Sequence, residues 1–213
     1  MMMLTVVVLI PQGNSGDFCG IGLIRVVWKI VERILDARLK SVPLHVALHG
    51  FRKGRGCGTG IIEAKLAQQL AGLEQCPLYT IFLDLKKAYD AMDRDRCLKI
   101  LRDVGVGKKA LRLIARFWKG AELVYRVAGY YGSIFKVRRG VTQGDFLSPT
   151  IFNLMVDGIL REWDWQLIEM GLGFDDVRRL LACFYADDGI VAARDPKDLQ
   201  DAFDLLIALF DRV

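Results

Sequence analysis

The chain has 213 residues, 53% of them hydrophobic and 26% charged, so it can bury a sizeable core as one large domain or two small ones. Its net charge of +5 conceals a split: residues 1–140 carry 24 Lys/Arg against 11 Asp/Glu, whereas residues 141–213 carry 6 against 14, as expected if a polyanion is gripped by the first part and cations are held by the second. Cys19, Cys57, Cys76, Cys97 and Cys183 are odd in number and form no C-x-x-C pair, which fits reduced thiols in an intracellular protein, nuclear or cytoplasmic. The apolar start, Met1 to Ile10, is too short to cross a bilayer and lacks the basic head and cleavage site of a signal peptide.

Taken in order, Thr5 to Ile10 is rich in β-formers and predicts a strand ending at Pro11. Pro11 to Gly22, with Asn14 and Asp17 among its glycines, predicts a flexible loop. Val27, Ile30, Ile34 and Leu35 recur at helical spacing within a helix from Leu23 to Leu39, which Pro43 ends. His49 to Thr59 interleaves four glycines with Arg52, Lys53 and Arg55. That is a basic loop able to approach phosphates, but without the strand before it or the Gly-Lys-Ser/Thr close of a P-loop. His45 and His49 lack the glutamate of a metalloprotease helix and read as structural or surface residues. Thr59 caps a helix to Leu73. Leu78 to Leu83 predicts a strand that delivers Asp84 at its end, where a carboxylate serves equally as a site residue or as a helix cap.

Lys108, Lys109, Arg112, Arg116 and Lys119 share one face of a helix whose other face carries Leu111, Ile114 and Trp118. Glu122–Ala128 and Ser133–Val137 read as strands around Gly129-Tyr130-Tyr131-Gly132. Arg138 to Asp145 forms a second basic loop bracketed by glycines. Ser148-Pro149 starts a helix that reaches Trp163 with Phe152, Met155, Val156 and Ile159 inward. Asp195-Pro196 opens a last helix with Leu199, Phe203, Leu206 and Phe210 inward and Asp198, Asp201, Asp204 and Asp211 outward.

The most informative stretch is Cys183-Phe184-Tyr185-Ala186-Asp187-Asp188-Gly189-Ile190-Val191. Two apolar runs flank adjacent carboxylates and a glycine, which predicts a β-hairpin with the aspartates at the turn. A turn breaks the strand alternation, so both acids can lean toward one point. They repel, and with no Lys or Arg nearer than Arg194 they call for another cation; Mg²⁺, a hard ion taking carboxylates together with substrate phosphates, suits them. If Asp84 lies on the neighbouring strand, three carboxylates converge as ligands for two divalent ions of a phosphoryl-transfer site.

At this point the sequence resembles a reverse transcriptase (RNA-directed DNA polymerase) domain of the non-LTR retrotransposon and group II intron-like type. The resemblance rests on Phe82-x-Asp84-x-x-x-Ala88-Tyr89-Asp90, on Gly140-Val141-x-Gln143-Gly144-x-x-Leu147-Ser148-Pro149-x-x-Phe152-Asn153, and on Tyr185-Ala186-Asp187-Asp188, in family order. Val8-Leu9-Ile10-Pro11, with Gly20-Ile21-x-Leu23 and His49-Gly50-Phe51-Arg52, adds the earlier blocks. The resemblance implies an α+β fold with fingers over residues 1–80 and a palm over 81–213, the palm an antiparallel sheet packed on helices. It implies Asp84, Asp187 and Asp188 as catalytic metal ligands for two Mg²⁺, with Mn²⁺ a substitute. Leu85, Tyr89, Gln143, Gly144 and Arg52 would line the nucleotide and template site, Tyr89 as a steric gate against a 2′-hydroxyl. Lys53, Arg55, Arg138 and Arg139 would contact nucleic acid, and the partners would be an RNA template, a DNA primer and dNTP, with no membrane. Gln12 and Cys19 stand where the family usually has Lys and Arg, Thr142 replaces a common proline, and the chain stops 25 residues past Asp188, too early for a thumb. A domain that binds nucleic acid without polymerising is the alternative these departures leave open.

Overall fold

The computed structural model describes residues 3–12, 17–172 and 180–212. The elements run β1 (Met3–Gln12), β2 (Asp17–Leu23), α1 (Val26–Leu39), α2 (Cys57–Leu73), β3 (Tyr79–Asp84), α3 (Ala88–Ala91), α4 (Arg94–Asp103), α5 (Lys108–Lys119), β4 (Ala121–Val127), β5 (Tyr130–Tyr131), β6 (Phe135–Lys136), α6 (Ser148–Glu169), β7 (Leu180–Tyr185), β8 (Asp188–Ala193) and α7 (Pro196–Phe210). They form two compact units: Met1–Val42 with Lys87–Ile151, and Pro43–Lys86 with Phe152–Val213. The units interleave along the chain, so division by contacts differs from the single functional cut expected at residue 80.

In the first unit β1 pairs antiparallel with β2 and parallel with β4, and β5 and β6 both pair with β4. β2 occupies half of the segment expected as a loop and the end of β1 takes Pro11 and Gln12; positions 13–16, with Asn14, lie outside the described residues. The glycines that suggested a loop serve close packing instead. A Cβ on Gly22 would come within 2.4 Å of Thr142 Cγ2, and Gly22 N–H donates to the Gln143 carbonyl at 2.7 Å. The expected turn at 129–132 shrinks to Ala128–Gly129, with φ of 50° and 88°, because Tyr130–Tyr131 already pairs back onto β4.

Helix α1 forms as its spacing requires but turns the opposite face inward. Val27, Ile30 and Ile34 are more than half exposed, while Glu32, Leu35, Asp36 and Leu39 are buried. Specific contacts outweigh the apolar stripe: Asp36 accepts from the Thr150 hydroxyl and pairs with Lys40 at 2.6 Å, and Trp28 meets the Phe117 ring edge-on at 5.0 Å. On α5 the five cations are exposed as expected, and Ile114 and Phe117 are its buried residues. Helix α4, not anticipated from the sequence, is capped by Asp93, which accepts from the Asp95 and Arg96 N–H groups.

The second unit is built on the antiparallel sheet β3-β8-β7. α2 packs Ala67 and Ala64 against Leu181, Cys183 and Ala192 on one face. α6 runs six residues past the expected end at Trp163, whose indole N–H donates to the Ala202 carbonyl on α7 at 2.8 Å. Asp195 caps α7 as anticipated, although the inward stripe is Leu199, Ala202, Leu206 and Leu209, and Phe203 and Phe210 are half-buried. No helix among the described residues is long and apolar enough to cross a membrane.

Candidate active site

The ladder between β3 and β8 sets Asp84 directly opposite Asp188. Opposed residues of an antiparallel pair share one face of the sheet, with Cβ atoms about 4.5–5.5 Å apart. Between Tyr185 and Asp188 only Ala186 and Asp187 remain, a two-residue turn that Ala186 enters with φ of 56°. Leu85 N–H donates to the Asp187 carbonyl at 3.0 Å, tying the exit of β3 to this turn. Three acids separated by about a hundred positions in sequence therefore sit on adjacent strand ends. Asp84 and Asp188 are exposed and Asp187 half-exposed, and among the described residues no cation pairs with any of them. Asp84 ends β3 and caps no helix.

The hairpin is braced from below by backbone. Residues 47–50 run alongside β7: Phe184 N–H donates to the Ala47 carbonyl and His49 N–H to the Phe184 carbonyl, both at 2.8 Å. Asn153 on α6 donates to the Gly50 carbonyl at 2.7 Å. A Cβ on Gly50 would lie 2.8 Å from the Ala186 nitrogen, and one on Gly189 would lie 2.6 Å from the Phe184 ring. The glycines of His-Gly-Phe-Arg and Asp-Asp-Gly thus let chain and ring press against the acidic turn. Gly50 and Asn153 belonged to the motifs quoted above, yet their bracing role needs the topology to be seen.

Asp84 and Asp188 border a cavity of about 430 Å³ on the α2 side of the sheet, lined also by Phe82, Ile190, Tyr185, His49 and the start of α2. The basic residues assigned to nucleotide and template divide in their surroundings. Arg52 donates to the His45 carbonyl at 3.0 Å, and Arg55 to the Val46 carbonyl, with Glu63 at 3.6 Å, so both hold their own loop; Lys53 is exposed. In the other unit Arg138 and Arg139 are exposed at the end of a loop held by Arg94, which donates to the carbonyls of Gly140 (2.8 Å), Trp118 (3.0 Å) and Val137 (2.6 Å). Burial draws the Arg94 guanidinium down to about 10. Gly140 and Gly144 adopt φ of 73° and 102° against backbone: a Cβ would come within 2.6 Å of the Tyr89 carbonyl and 2.8 Å of the Gly22 carbonyl. Tyr89 on α3 and Gln143 are half-buried, and the Tyr89 carbonyl accepts from Val141 N–H at 2.8 Å.

Two electrostatic features were not visible in the sequence. Asp145 is half-buried, but its Oδ1 is enclosed without a hydrogen-bond partner among the described residues; burial, then Glu32, pushes its carboxyl up to about 8. Burial likewise raises Glu32. In the second unit, His49, Glu63 and Cys183 are the one group of three potential metal ligands among the described residues whose donor atoms already lie within 4.8 Å of one another. Asp84, Asp187 and Asp188, exposed and mutually repelling, are not drawn together that tightly.

Comparison with known proteins adds independent findings. The family described as "Reverse transcriptase (RNA-dependent DNA polymerase)" matches residues 10–212. The Pol polyprotein of the type-2 retrotransposable element R2DM of Drosophila melanogaster is 29% identical over 192 residues, which is 88% of this chain and 18% of that protein. A putative COX1/OXI3 intron 1 protein of Saccharomyces cerevisiae is 28% identical over 146 residues, 65% of this chain and 16% of that one. The chain thus spans less than a fifth of the length of these curated relatives. In fold it is similar to telomerase from Candida albicans, solved with a fragment of telomeric RNA, at a TM-score of 0.69 and 12% identity over 96% of this chain and 40% of that one. It is similar to apo telomerase from Candida tropicalis truncated from its C-terminal domain, at a TM-score of 0.68 and 14% identity over 95% and 46%.

Proposed function

Because this chain belongs to the reverse transcriptase (RNA-dependent DNA polymerase) family, we propose that it copies RNA into DNA for a retroelement, joining dNTP to the 3′-hydroxyl of a DNA primer. The observation that carries the proposal is the opposition of Asp84 and Asp188 across β3 and β8, with Asp187 in the turn between β7 and β8. Oxygen donors on three solvent-reaching carboxylates, free of competing cations among the described residues, suit hard divalent ions. Asp84, Asp187 and Asp188 would hold two Mg²⁺, or Mn²⁺ in their place. When bound, the ions supply charge neutralisation at the attacking and leaving oxygens.

The chain's own residues do the rest. The β3–β8 ladder and the Gly50–Asn153 brace hold the acids in place before substrate arrives, which lowers the cost of ordering them. Tyr89 is assigned as the ring that excludes a ribose 2′-hydroxyl, and Leu85, Gln143, Gly144 and Arg52 as the surroundings of the nucleotide and templating base. Exposed Lys53, Arg138 and Arg139, with Arg55, take nucleic-acid phosphates. Residues 1–80 correspond to fingers and 81–213 to palm.

The test is primer extension on poly-rA/oligo-dT with Mg²⁺ or Mn²⁺, beside an Asp187→Ala control. dTTP incorporation well above the control is expected. Incorporation equal to it, with binding that weakens steeply with salt, would overturn the polymerase reading in favour of a nucleic-acid-binding domain. Tyr89→Ala is expected to admit ribonucleotides; unchanged discrimination between dNTP and rNTP removes the gate assignment.

A further inference from the structure

Behind the acidic hairpin lies a second set of donors that the polymerase reading does not use. His49 precedes Gly50 in the brace, Glu63 lies in the second turn of α2, and Cys183 lies on β7. His49 Nε2 is 3.2 Å from Glu63 Oε2, and Cys183 Sγ is 3.8 Å from the same oxygen. Four-coordinate zinc, with bonds of 2.0–2.3 Å, places its donors about 3.3–3.6 Å apart. The two separations from the Glu63 oxygen therefore stand near tetrahedral spacing, and all three donor atoms lie within 4.8 Å of one another.

The Thr59 hydroxyl lies 2.7 Å from the Gly56 carbonyl and accepts from Gly56 N–H at 3.0 Å. His49 Nδ1 is 2.8 Å from the same hydroxyl, so Nε2 is the ring nitrogen that faces Glu63. In the tautomer protonated at Nδ1, Nε2 presents a lone pair toward that carboxylate. His49 is 1% exposed, and Nε2 has no hydrogen-bond partner among the described residues. A lone pair facing a carboxylate is satisfied by a proton on Nε2 or by a metal cation between the two atoms. Arg55 reaches only the other carboxylate oxygen, Oε1, at 3.6 Å. The Nδ1–Thr59 bond is the supporting contact that orients a ligating histidine.

We propose that His49 Nε2, Cys183 Sγ and one Glu63 oxygen bind a thiophilic divalent cation, zinc(II), with the fourth position open to the cavity. Imidazole and thiolate select zinc over Mg²⁺, which separates this site from the aspartates. The thiol proton leaves to solvent on binding, and thiolate and carboxylate together balance the ion's charge. The bound ion fastens the start of α2, the brace and β7 to one another beneath the Asp187 turn. This inference does not depend on the polymerase reading.

The test uses the full chain titrated with Co²⁺ and then Zn²⁺. One equivalent of Co²⁺ is expected to give a thiolate-to-cobalt charge-transfer band, which Zn²⁺ abolishes by displacement, and Zn²⁺ is expected to raise the Tm. Cys183→Ser is expected to remove the band, Glu63→Gln to weaken binding about ten-fold or more, and Cys57→Ser and Asp187→Ala to leave it unchanged. Absence of the band, or a band that survives Cys183→Ser, overturns the site. Should Cys183→Ser fail to fold, X-ray absorption at the zinc edge of the unaltered chain decides: one sulfur among nitrogen and oxygen donors supports the site, and no sulfur refutes it.

Discussion

The two units differ in the carboxylates they expose. The first, with 19 Lys/Arg against 9 Asp/Glu, buries Glu32, Asp36 and part of Asp145; the second, with 11 against 16, buries Asp157 beside Arg161 but leaves Asp84, Asp187 and Asp188 open to solvent. Glu32 and Asp145 are enclosed and pushed toward the protonated form. The hairpin acids stand at the turn between β7 and β8 and at the end of β3, where water stabilises their charge. An acid held neutral can rigidify a fold but attracts no metal, whereas exposed acids on a rigid sheet attract one and contribute little to stability. The contrast is between enclosed and exposed carboxylates, and Asp157, which accepts from the His45 N–H and pairs with Arg161, belongs with the enclosed ones.

The sharpest way to break the contrast is to remove an acid from the exposed set. Asp187→Asn or Asp84→Asn should lower primer extension by about 10³-fold or more, the scale of losing a group that acts on transition-state charge, with the Tm nearly unchanged. A large Tm loss with retained synthesis would make these acids structural and erase the distinction between the units.

The converse operation acts on the buried set. Asp145 titrates near 8 in the folded chain, far above the value of an unfolded carboxylate, about 3.9. Below about pH 4 both states hold the proton, and the group has no influence. Between about 4 and 8 the unfolded chain releases it while the folded chain keeps it, so stability falls as pH rises, by up to about 1.4 kcal/mol per unit, and levels off above 8. Asp145→Asn should flatten that slope and stabilise the first unit by about 2–3 kcal/mol at pH 8, read from urea unfolding across pH. An unchanged slope would mean that Asp145 is ionised when folded.

What could be read from the sequence follows the same division. The second unit was legible because local rules agree there: continuous apolar runs for β7 and β8, a turn at the aspartates, Asp195-Pro196 at the start of α7. The first was less so. The β2 segment reads as a loop because its glycines, which let Gly22 lie against Thr142 and Gln143, look like turn glycines in one dimension. The apolar stripe of α1 pointed the wrong way because Asp36 and Trp28 bind partners more than a hundred and nearly ninety positions away, Thr150 and Phe117. Among the site residues the three aspartates were visible from pattern and resemblance. Their support by Gly50 and Asn153, and the meeting of His49, Glu63 and Cys183, depend on pairings between distant segments that no local spacing encodes.

Backbone proximity offers a smaller, paired test. Gly50→Ala puts a methyl 2.8 Å from the Ala186 nitrogen without changing any charge. It should cost the second unit about 1–3 kcal/mol, the usual scale of overpacking, and should slow synthesis by more than the stability loss alone explains, because the displaced atoms carry Asp187. Gly58→Ala, on the same basic stretch with nothing within 4 Å of its added Cβ, should leave both nearly unaltered. Equal behaviour of the two variants would remove Gly50 from the brace.

The smallest effect is expected on the exposed face of α5. Lys108, Lys109, Arg112, Arg116 and Lys119 are all exposed on a helix buried through Ile114 and Phe117, so losing one charge should not unfold it. If this face follows a phosphate backbone, Arg112→Ala releases about one fewer counterion on binding. The slope of log affinity against log salt then falls by about 0.7–0.9, and affinity weakens alike for all template sequences. An unchanged slope would confine phosphate contacts to Lys53, Arg138 and Arg139 and make the basic stripe of α5 a solvated surface. The excess positive charge of the first unit would then be spread over it rather than gathered on a binding face.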